Sequence, residues 1–366
     1  METLWAWSVF GSLLLRYLVY KTGRGRRPMF TDRLDAMPLV GRQVLRWNRL
    51  RVVNPEQCPQ AYPAVFVGNH IGLDDPNFIW PAIYYSSGRR VVVHFMMRDD
   101  FFRGFPWDFL PINVDDLAEM CGAVRISRDS VQWSQLKPFL TILETPGAFL
   151  MFPGRTRSRS GLPMEYREGI EEPGGTSFFV MHAQRRMKQP VPAVPIARTT
   201  HPVTKRCAVA FGAPLYLDAK ADRATQREFD QQLPVHISNL IEIHVPHLVC
   251  AMLYLHCLQQ GNAPLKIDAL TNAVKSIAGK LDGRFVDPNA LTRTEDEVRQ
   301  CVRWLRRSGM LRLSGTILHP DVAKVLFAPA LDTKYRKRNP VKFYANQILP
   351  LTDVVARIED TLADLR

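Results

Sequence analysis

The chain has 366 residues, 46 % of them apolar and 23 % charged, which is enough to bury a sizeable core and, by length alone, to form two globular units. That composition excludes a disordered or collagen-like chain, and a formal net charge of +13 leaves acidic partners in view: nucleic acid, anionic lipid or phosphorylated small molecules. Six cysteines, at 58, 121, 207, 250, 257 and 301, form no Cys-x-x-Cys pair, so free thiols in a reducing compartment are expected and a disulfide framework is not.

From Leu4 to Tyr20 the chain reads LWAWSVFGSLLLRYLVY, apolar but for Ser8, Ser12 and Arg16, and the basic residues Lys21, Arg24, Arg26 and Arg27 follow. A spanning helix needs about 20 apolar residues, and Arg16 would have to reach for headgroups, so residues 1–27 read as a monotopic or single-pass anchor. A signal peptide carries its positive charge before the apolar run. Here the charge comes after it, which turns the cluster toward the anionic cytoplasmic face of a membrane. An amphipathic helix packed on the following domain is the alternative.

Beyond Pro28, apolar and β-branched runs of strand length occur at 63–69, 90–95, 147–152, 191–197 and 206–212, with helical patterns at 76–86, 130–145 and 175–188 between several of them. Strands alternating with helices predict an α/β domain over 28–224, with a mixed, largely parallel sheet flanked by helices. From about Thr225 the pattern turns to long helical stretches, which predicts a mainly helical C-terminal region over 225–366. There Thr294 and Glu297 have the spacing of a capping box, opening a helix that stops at Gly309.

The stretch VFVGNHIGLDDPNF, residues 65–78, runs from a strand into an Asn-His pair and reaches Asp75 five positions after His70. On a continuous helix those two side chains would point about 140° apart, so they meet only if His70 sits on a turn before the helix. Gly68 and Gly72 permit such a turn, and Pro76 suits a first helical position. A carboxylate behind a histidine is what a general base needs: the ring takes a proton while the carboxylate fixes its tautomer. Asp75 as a helix N-cap and His70 as a satisfied buried histidine are the plain alternatives.

Further stretches join this one in order: GAVRISR at 122–128, FPGRTRS at 152–158 and VPAVPI at 191–196. With NHIGLDD they resemble the four blocks of the glycerolipid acyltransferases, the family of glycerol-3-phosphate and 1-acylglycerol-3-phosphate acyltransferases, over roughly residues 60–215. The resemblance implies a glycerolipid-acyltransferase-like domain in which His70 deprotonates a glycerol hydroxyl, Asp75 orients it, and the hydroxyl attacks an acyl thioester directly. It implies substrate-binding roles for Asn69, Gly122, Arg128, Arg155, Thr156, Arg157 and Ser158, the arginines gripping a phosphate. Acyl-CoA or acyl carrier protein would be the donor, and glycerol 3-phosphate the acceptor, with 1-acylglycerol 3-phosphate as the alternative. An anionic membrane surface is an expected partner; no metal, no cofactor and no nucleic acid are expected.

The chain departs from the family at Gly154 and Arg155, which stand where the family has Glu-Gly, so a carboxylate beside the acceptor is missing. Arg125 replaces an aromatic, and both changes add positive charge near the expected phosphate pocket. Segments 245–256 and 343–351 are similar to the C-terminal region of glycerol-3-phosphate acyltransferases, or are plain helical core. His244, His247 and His256 read as scattered helix histidines with no nearby carboxylate to complete a metal site. The aromatic stretch DDFFRGFPWDFLPI (99–112) suits an acyl-chain lining or a core, and YRKRNPVKF (335–343) suits anionic lipid or solvent. Two remote alternatives remain: an acyltransferase fold that has lost its chemistry, and a nucleic-acid binder using the arginines of 299–307 and a winged-helix turn through 308–319.

Overall fold

The computed structural model describes residues 2–26, 28–29, 42, 45–46, 49–72, 74–88, 93–98, 114–120, 122–126, 133–144, 147–154, 156–166, 174–328 and 335–365. The aromatic stretch 99–112 lies outside the described residues, as do Arg128 and Arg155.

Helix α1 (Glu2–Lys21) comes first, then β1 (Leu50–Val53), β2 (Ala64–Gly68), α2 (Asp75–Ser86), β3 (Val93–Arg98), α3 (Val114–Met120) and β4 (Ala123–Ile126). After these come α4 (Trp133–Glu144), β5 (Ala148–Met151), α5 (Thr176–Met187), β6 (Ala193–Thr200) and β7 (Cys207–Phe211). The seven strands form one sheet in the order β1-β7-β6-β2-β5-β3-β4. Strands β6, β2, β5, β3 and β4 run parallel, and β7 and β1 run against them, which is the mixed, largely parallel sheet expected. The central strands β2, β5, β6 and β7 are buried almost throughout, so they read as unbroken apolar runs. Strands β1 and β4 escape the pattern reading because they are four-residue edge strands, only partly buried.

Each face of the sheet is covered. On one side Val65, Val67, Phe149 and Met151 pack with Phe139 and Leu143 of α4 and with Phe179 and Val180 of α5. On the other, Phe66, Leu150, Ile196 and Phe211 pack against Ile79, Ala82 and Ile83 of α2. Helix α1 lies outside α2: Val9, Leu13 and Tyr17, spaced four apart on one stripe, are buried against Tyr84 and Met120. The Tyr17 hydroxyl donates to Asp116 Oδ2 at 2.9 Å, and Lys21 stands 3.6 Å from the same oxygen. No helix among the described residues is long and apolar enough to cross a membrane.

The C-terminal region is mostly helical: α6 (Arg223–Asn239), α7 (Val245–Gln260), α8 (Ile267–Ala278), α9 (Asn289–Thr292), α10 (Thr294–Arg307), α11 (Val322–Leu326), α12 (Tyr335–Arg338), α13 (Pro340–Ala345) and α14 (Thr352–Asp364). It also holds a small sheet, β8 (Leu265–Lys266), β9 (Leu311–Ser314) and β10 (Ile317–Pro320), in the order β8-β10-β9. The winged-helix turn expected over 308–319 is the β9-β10 hairpin, turning at Gly315 with φ 60°. Helix α7 is apolar around its whole circumference because it is the hub against which α8, α10, α13 and α14 pack. Segments 245–256 and 343–351 are thus helical core, and one apolar core runs without a break from Val65 to Leu362.

The capping box expected at Thr294 and Glu297 does not form. Helix α10 has Arg293 at its N-cap with no side-chain cap, Thr294 Oγ1 donates to Ala290 O, and the buried Glu297 faces Arg206 instead. A tertiary ion pair outcompetes the local reach-back.

Candidate active site

Parallel strands deliver their carboxyl ends to one edge of the sheet, and ligands of open α/β sheets bind outside that edge. Because β2 and β5 are neighbours, the segments that follow them, 69–75 and 152–161, emerge side by side. His70 stands there on a turn, its ring stacked on that of Phe152 at 4.3 Å between centroids.

His70 Nδ1 lies 2.7 Å from Asp75 Oδ2. A carboxylate only accepts, so this contact places the proton on Nδ1 and the lone pair on Nε2. Nε2 makes no hydrogen bond among the described residues, and the side chain is 22 % accessible. The Gly72 amide also donates to Asp75 Oδ2, at 2.9 Å. A Cβ on Gly72 would press on the Asp74 carboxylate and come within 3.1 Å of Arg198 Nη1, which explains the glycine.

Asp75 is not the helix cap. Asp74 occupies that position, without a side-chain cap bond, and the Asp75 carboxylate is fully buried and turned inward. Its second oxygen accepts from Arg198 Nη1 at 2.6 Å. Arg198, on β6, also grips Asp74 with both terminal nitrogens, at 2.8 and 3.1 Å, and lies 3.8 Å over the Phe78 ring. Burial opposes its charge, but Asp74 and Asp75 together hold the guanidinium above its ordinary value. The site is therefore a chain, His70 to Asp75 to Arg198, and Arg198 is the member that sequence reasoning missed. Its only signal was its place two residues after the VPAVPI block.

The other expected site residues are distributed unevenly. Asn69 is buried, with its amide donating to Arg198 O at 2.9 Å and accepting from Arg198 N at 2.8 Å, so it laces β2 to β6 below His70. Gly122 enters β4 at φ 95°, with its carbonyl accepting from Phe95 N. It precedes a strand parallel to β2 and so lies at the opposite end of the sheet from His70. The Arg125 charge is answered by Glu119 and by Asp115 at 3.6 Å, so the expected extra charge for a phosphate is spent within α3 and β4. Thr156 and Arg157 stand half-buried in the loop after β5. Ser158 is buried; its amide donates to His70 O at 2.6 Å and its hydroxyl accepts from the Gly161 amide at 3.0 Å, so it serves the loop.

A carboxylate does stand in that loop, but from another position. Glu165 Oε2 accepts from the amides of Arg159 and Ser160, both at 2.9 Å, and from the Ser160 hydroxyl at 2.7 Å.

A second polar cluster lies between β6, β7 and the C-terminal helices, where His201, His244 and Asp287 bring possible metal-ligand atoms within 4.8 Å of one another. His244 Nδ1 meets Asp287 Oδ2 at 2.9 Å, and His201 Nε2 faces Glu297 at 3.5 Å, so these histidines do have carboxylate partners, brought from far along the chain. Hydrogen bonds already use most of the ligand atoms, His244 Nε2 being the exception, buried without a hydrogen bond and 3.6 Å from Glu242 Oε2. His201 Nδ1 accepts from the Val203 and Thr204 amides, which leaves the ring proton on Nε2, and Asp287 Oδ2 is shared between His244 and Arg206. Burial pushes His244 down to about 4 despite Asp287, so the ring is neutral near pH 7. With Arg51 on Glu242 and Arg206 on Asp287 and Glu297, the cluster is a charge-matched joint between the sheet edge and the helical region. His256, in contrast, meets no carboxylate among the described residues and bonds Ala263 O at 2.9 Å.

An acyltransferase family model matches residues 49–199. That span runs from β1 through β6 and holds the whole chain His70, Asp75 and Arg198, which supports assigning this region to the glycerolipid acyltransferases without naming a subtype. The chain is also similar to a crystal structure of the 1-acyl-sn-glycerophosphate (LPA) acyltransferase PlsC from Thermotoga maritima. The identity is 15 % and the TM-score 0.39, over 65 % of this chain and 93 % of that one, a likeness too loose to bear on the acceptor. No curated protein matches the chain.

Proposed function

We propose that the chain is an O-acyltransferase of phospholipid synthesis that moves a fatty acyl group from a thioester, acyl-CoA or acyl carrier protein, to a hydroxyl of a glycerol phosphate. The observation that carries this reading is His70 itself: Nδ1 held by a buried carboxylate, Nε2 left open at the carboxyl edge of the sheet. Nε2 takes the proton of the acceptor hydroxyl as its oxygen attacks the thioester carbonyl; the C–S bond breaks, and the thiolate leaves with the proton returned by the imidazolium. Asp75 steadies that imidazolium, and no protein nucleophile is needed.

The acceptor is glycerol 3-phosphate or its 1-acyl derivative, with Arg157 taking the phosphate beside Thr156. Offering both acceptors to the purified protein and identifying the product by mass spectrometry tests the reading; absence of an acylated product with either one contradicts it. In the same assay Arg157→Ala should raise the acceptor constant about ten- to a hundredfold, since a charge-assisted contact to phosphate is worth roughly 1.5–3 kcal/mol. An unchanged constant would place the phosphate elsewhere.

The reading includes a membrane surface, the cytoplasmic leaflet. Helix α1 buries one stripe on the protein and leaves Leu4, Leu14, Leu15 and Leu18 exposed, with Lys21, Arg24 and Arg26 at its end. Apolar insertion plus attraction to anionic lipid is a two-signal anchor. Deleting residues 1–27 should abolish most flotation with anionic vesicles at low salt. Undiminished flotation of the shortened chain would move the anchor to another surface.

A further inference from the structure

The missing carboxylate at position 154 has a structural reason. A Cβ on Gly154 would run into the carbonyl oxygen of Glu165, so the backbone of residue 165 occupies the space a side chain at 154 would need. The same residue that closes that space carries its carboxylate back into the loop. Glu165 Oε2 alone gathers the Arg159 and Ser160 amides and the Ser160 hydroxyl, with the Ser158 hydroxyl at 3.4 Å. Two successive amides converging on one oxygen are the arrangement with which loops bind anions, and here the anion is the protein's own.

From that anchor the loop is fixed in two directions. Toward the catalytic turn, the Ser158 amide bonds His70 O, and the Gly161 amide bonds the Ser158 hydroxyl. Toward the C-terminal region, Asn346 Nδ2 donates to Ser160 O at 2.9 Å, and Gly161, at φ 96°, lies flat against the backbone of Phe343, where no Cβ would fit. Thr156 and Arg157 sit between the strand end and this clamp. Without the carboxylate, two amides and a hydroxyl of the loop lose their shared acceptor, and its shape is left to the links to His70 and Asn346 at either side.

We propose that Glu165 is a positioning residue for the acceptor: it supplies from position 165 the loop carboxylate absent at 154, and so holds Thr156 and Arg157 at a fixed distance from His70. The inference rests on the acyltransferase reading above. Its role is internal. The Arg159 and Ser160 amides it occupies are not phosphate donors, and the phosphate is left to side chains.

The test is steady-state kinetics of the full chain with whichever glycerol phosphate the wild type uses, together with amide hydrogen exchange over residues 156–162. Glu165→Ala should raise the acceptor constant about tenfold or more, change kcat by less than about threefold, leave the donor constant unchanged, and speed exchange in that loop alone. Glu165→Gln keeps an oxygen acceptor and should stay within about threefold of wild type. Gly154→Ala, which forces segment 165 away without touching the carboxylate, should reproduce the alanine phenotype; it also carries the test if Glu165→Ala does not fold. Wild-type acceptor constants and exchange in Glu165→Ala would overturn the proposal. Equal losses in kcat and in both constants, unrelieved by glutamine, would overturn it as well, because they mark a general structural role. A wild type without acyl transfer removes the underlying reading together with this inference, whereas an active wild type with indifferent variants removes the inference alone.

Discussion

His70→Ala should lower acyl transfer by about 10²–10⁴-fold while the protein keeps its fold. The hydroxyl of a glycerol phosphate is a poor nucleophile near pH 7, and Nε2 is the base that the geometry places on the open side of the site. The fold survives because the imidazole is not what satisfies Asp75: that carboxylate keeps the Gly72 amide at 2.9 Å and Arg198 at 2.6 Å after the ring is gone. What is lost in packing is a partly accessible ring stacked on Phe152, a small core term. A melting temperature close to wild type with activity nearly absent is the expected result. Activity above a few per cent of wild type would remove His70 from the chemistry.

Arg198→Met should act on stability and on activity together. Arg198 and Asp75 are both buried, and breaking a buried ion pair by removing one partner costs roughly 3–5 kcal/mol, because the remaining charge has neither water nor a counter-ion. The exposed Asp74, which the same guanidinium grips, adds little to that cost. The consequence for catalysis follows from sharing: Asp75 bonds both His70 and Arg198, so losing the guanidinium frees the carboxylate to turn and loosens the ring it orients. Arg198→Lys restores the charge without the fork that spans Asp74 and Asp75, and should recover stability only in part. A methionine variant as stable and as active as wild type would show that Arg198 is a bystander.

The contrast between His70 and Arg198 shows what the sequence could and could not reveal. The histidine and its carboxylate lie five residues apart on a turn whose glycines and proline are visible in the string, so their meeting is a local matter. The arginine comes from β6, 123 residues beyond Asp75, and meets it because β6 happens to be the neighbour of β2. No local pattern encodes that adjacency. Asn69 was legible as part of a motif, but its bonds were not, since their partner is the backbone of the same distant residue. Gly122 opens a block that runs along a short strand, and it stands before β4, at the end of the parallel sheet away from His70. Helices α2, α4 and α5 were readable from apolar spacing because each lays one face on the sheet. The capping box failed where a buried ion pair competed with it. Glu165 is only seven residues beyond Ser158, yet its role depends on the loop folding back over Gly154, a reversal that composition does not announce.

The central claim is that His70 takes the proton of a glycerol phosphate hydroxyl during direct acyl transfer. Its most direct test is release of free thiol from an acyl thioester, followed with wild type and His70→Ala side by side, with and without acceptor. The account predicts acceptor-dependent thiol release by wild type, matched mole for mole by acylated glycerol phosphate, and none above background by the alanine variant. Equal release by both proteins, or release by wild type that ignores the acceptor, would contradict it.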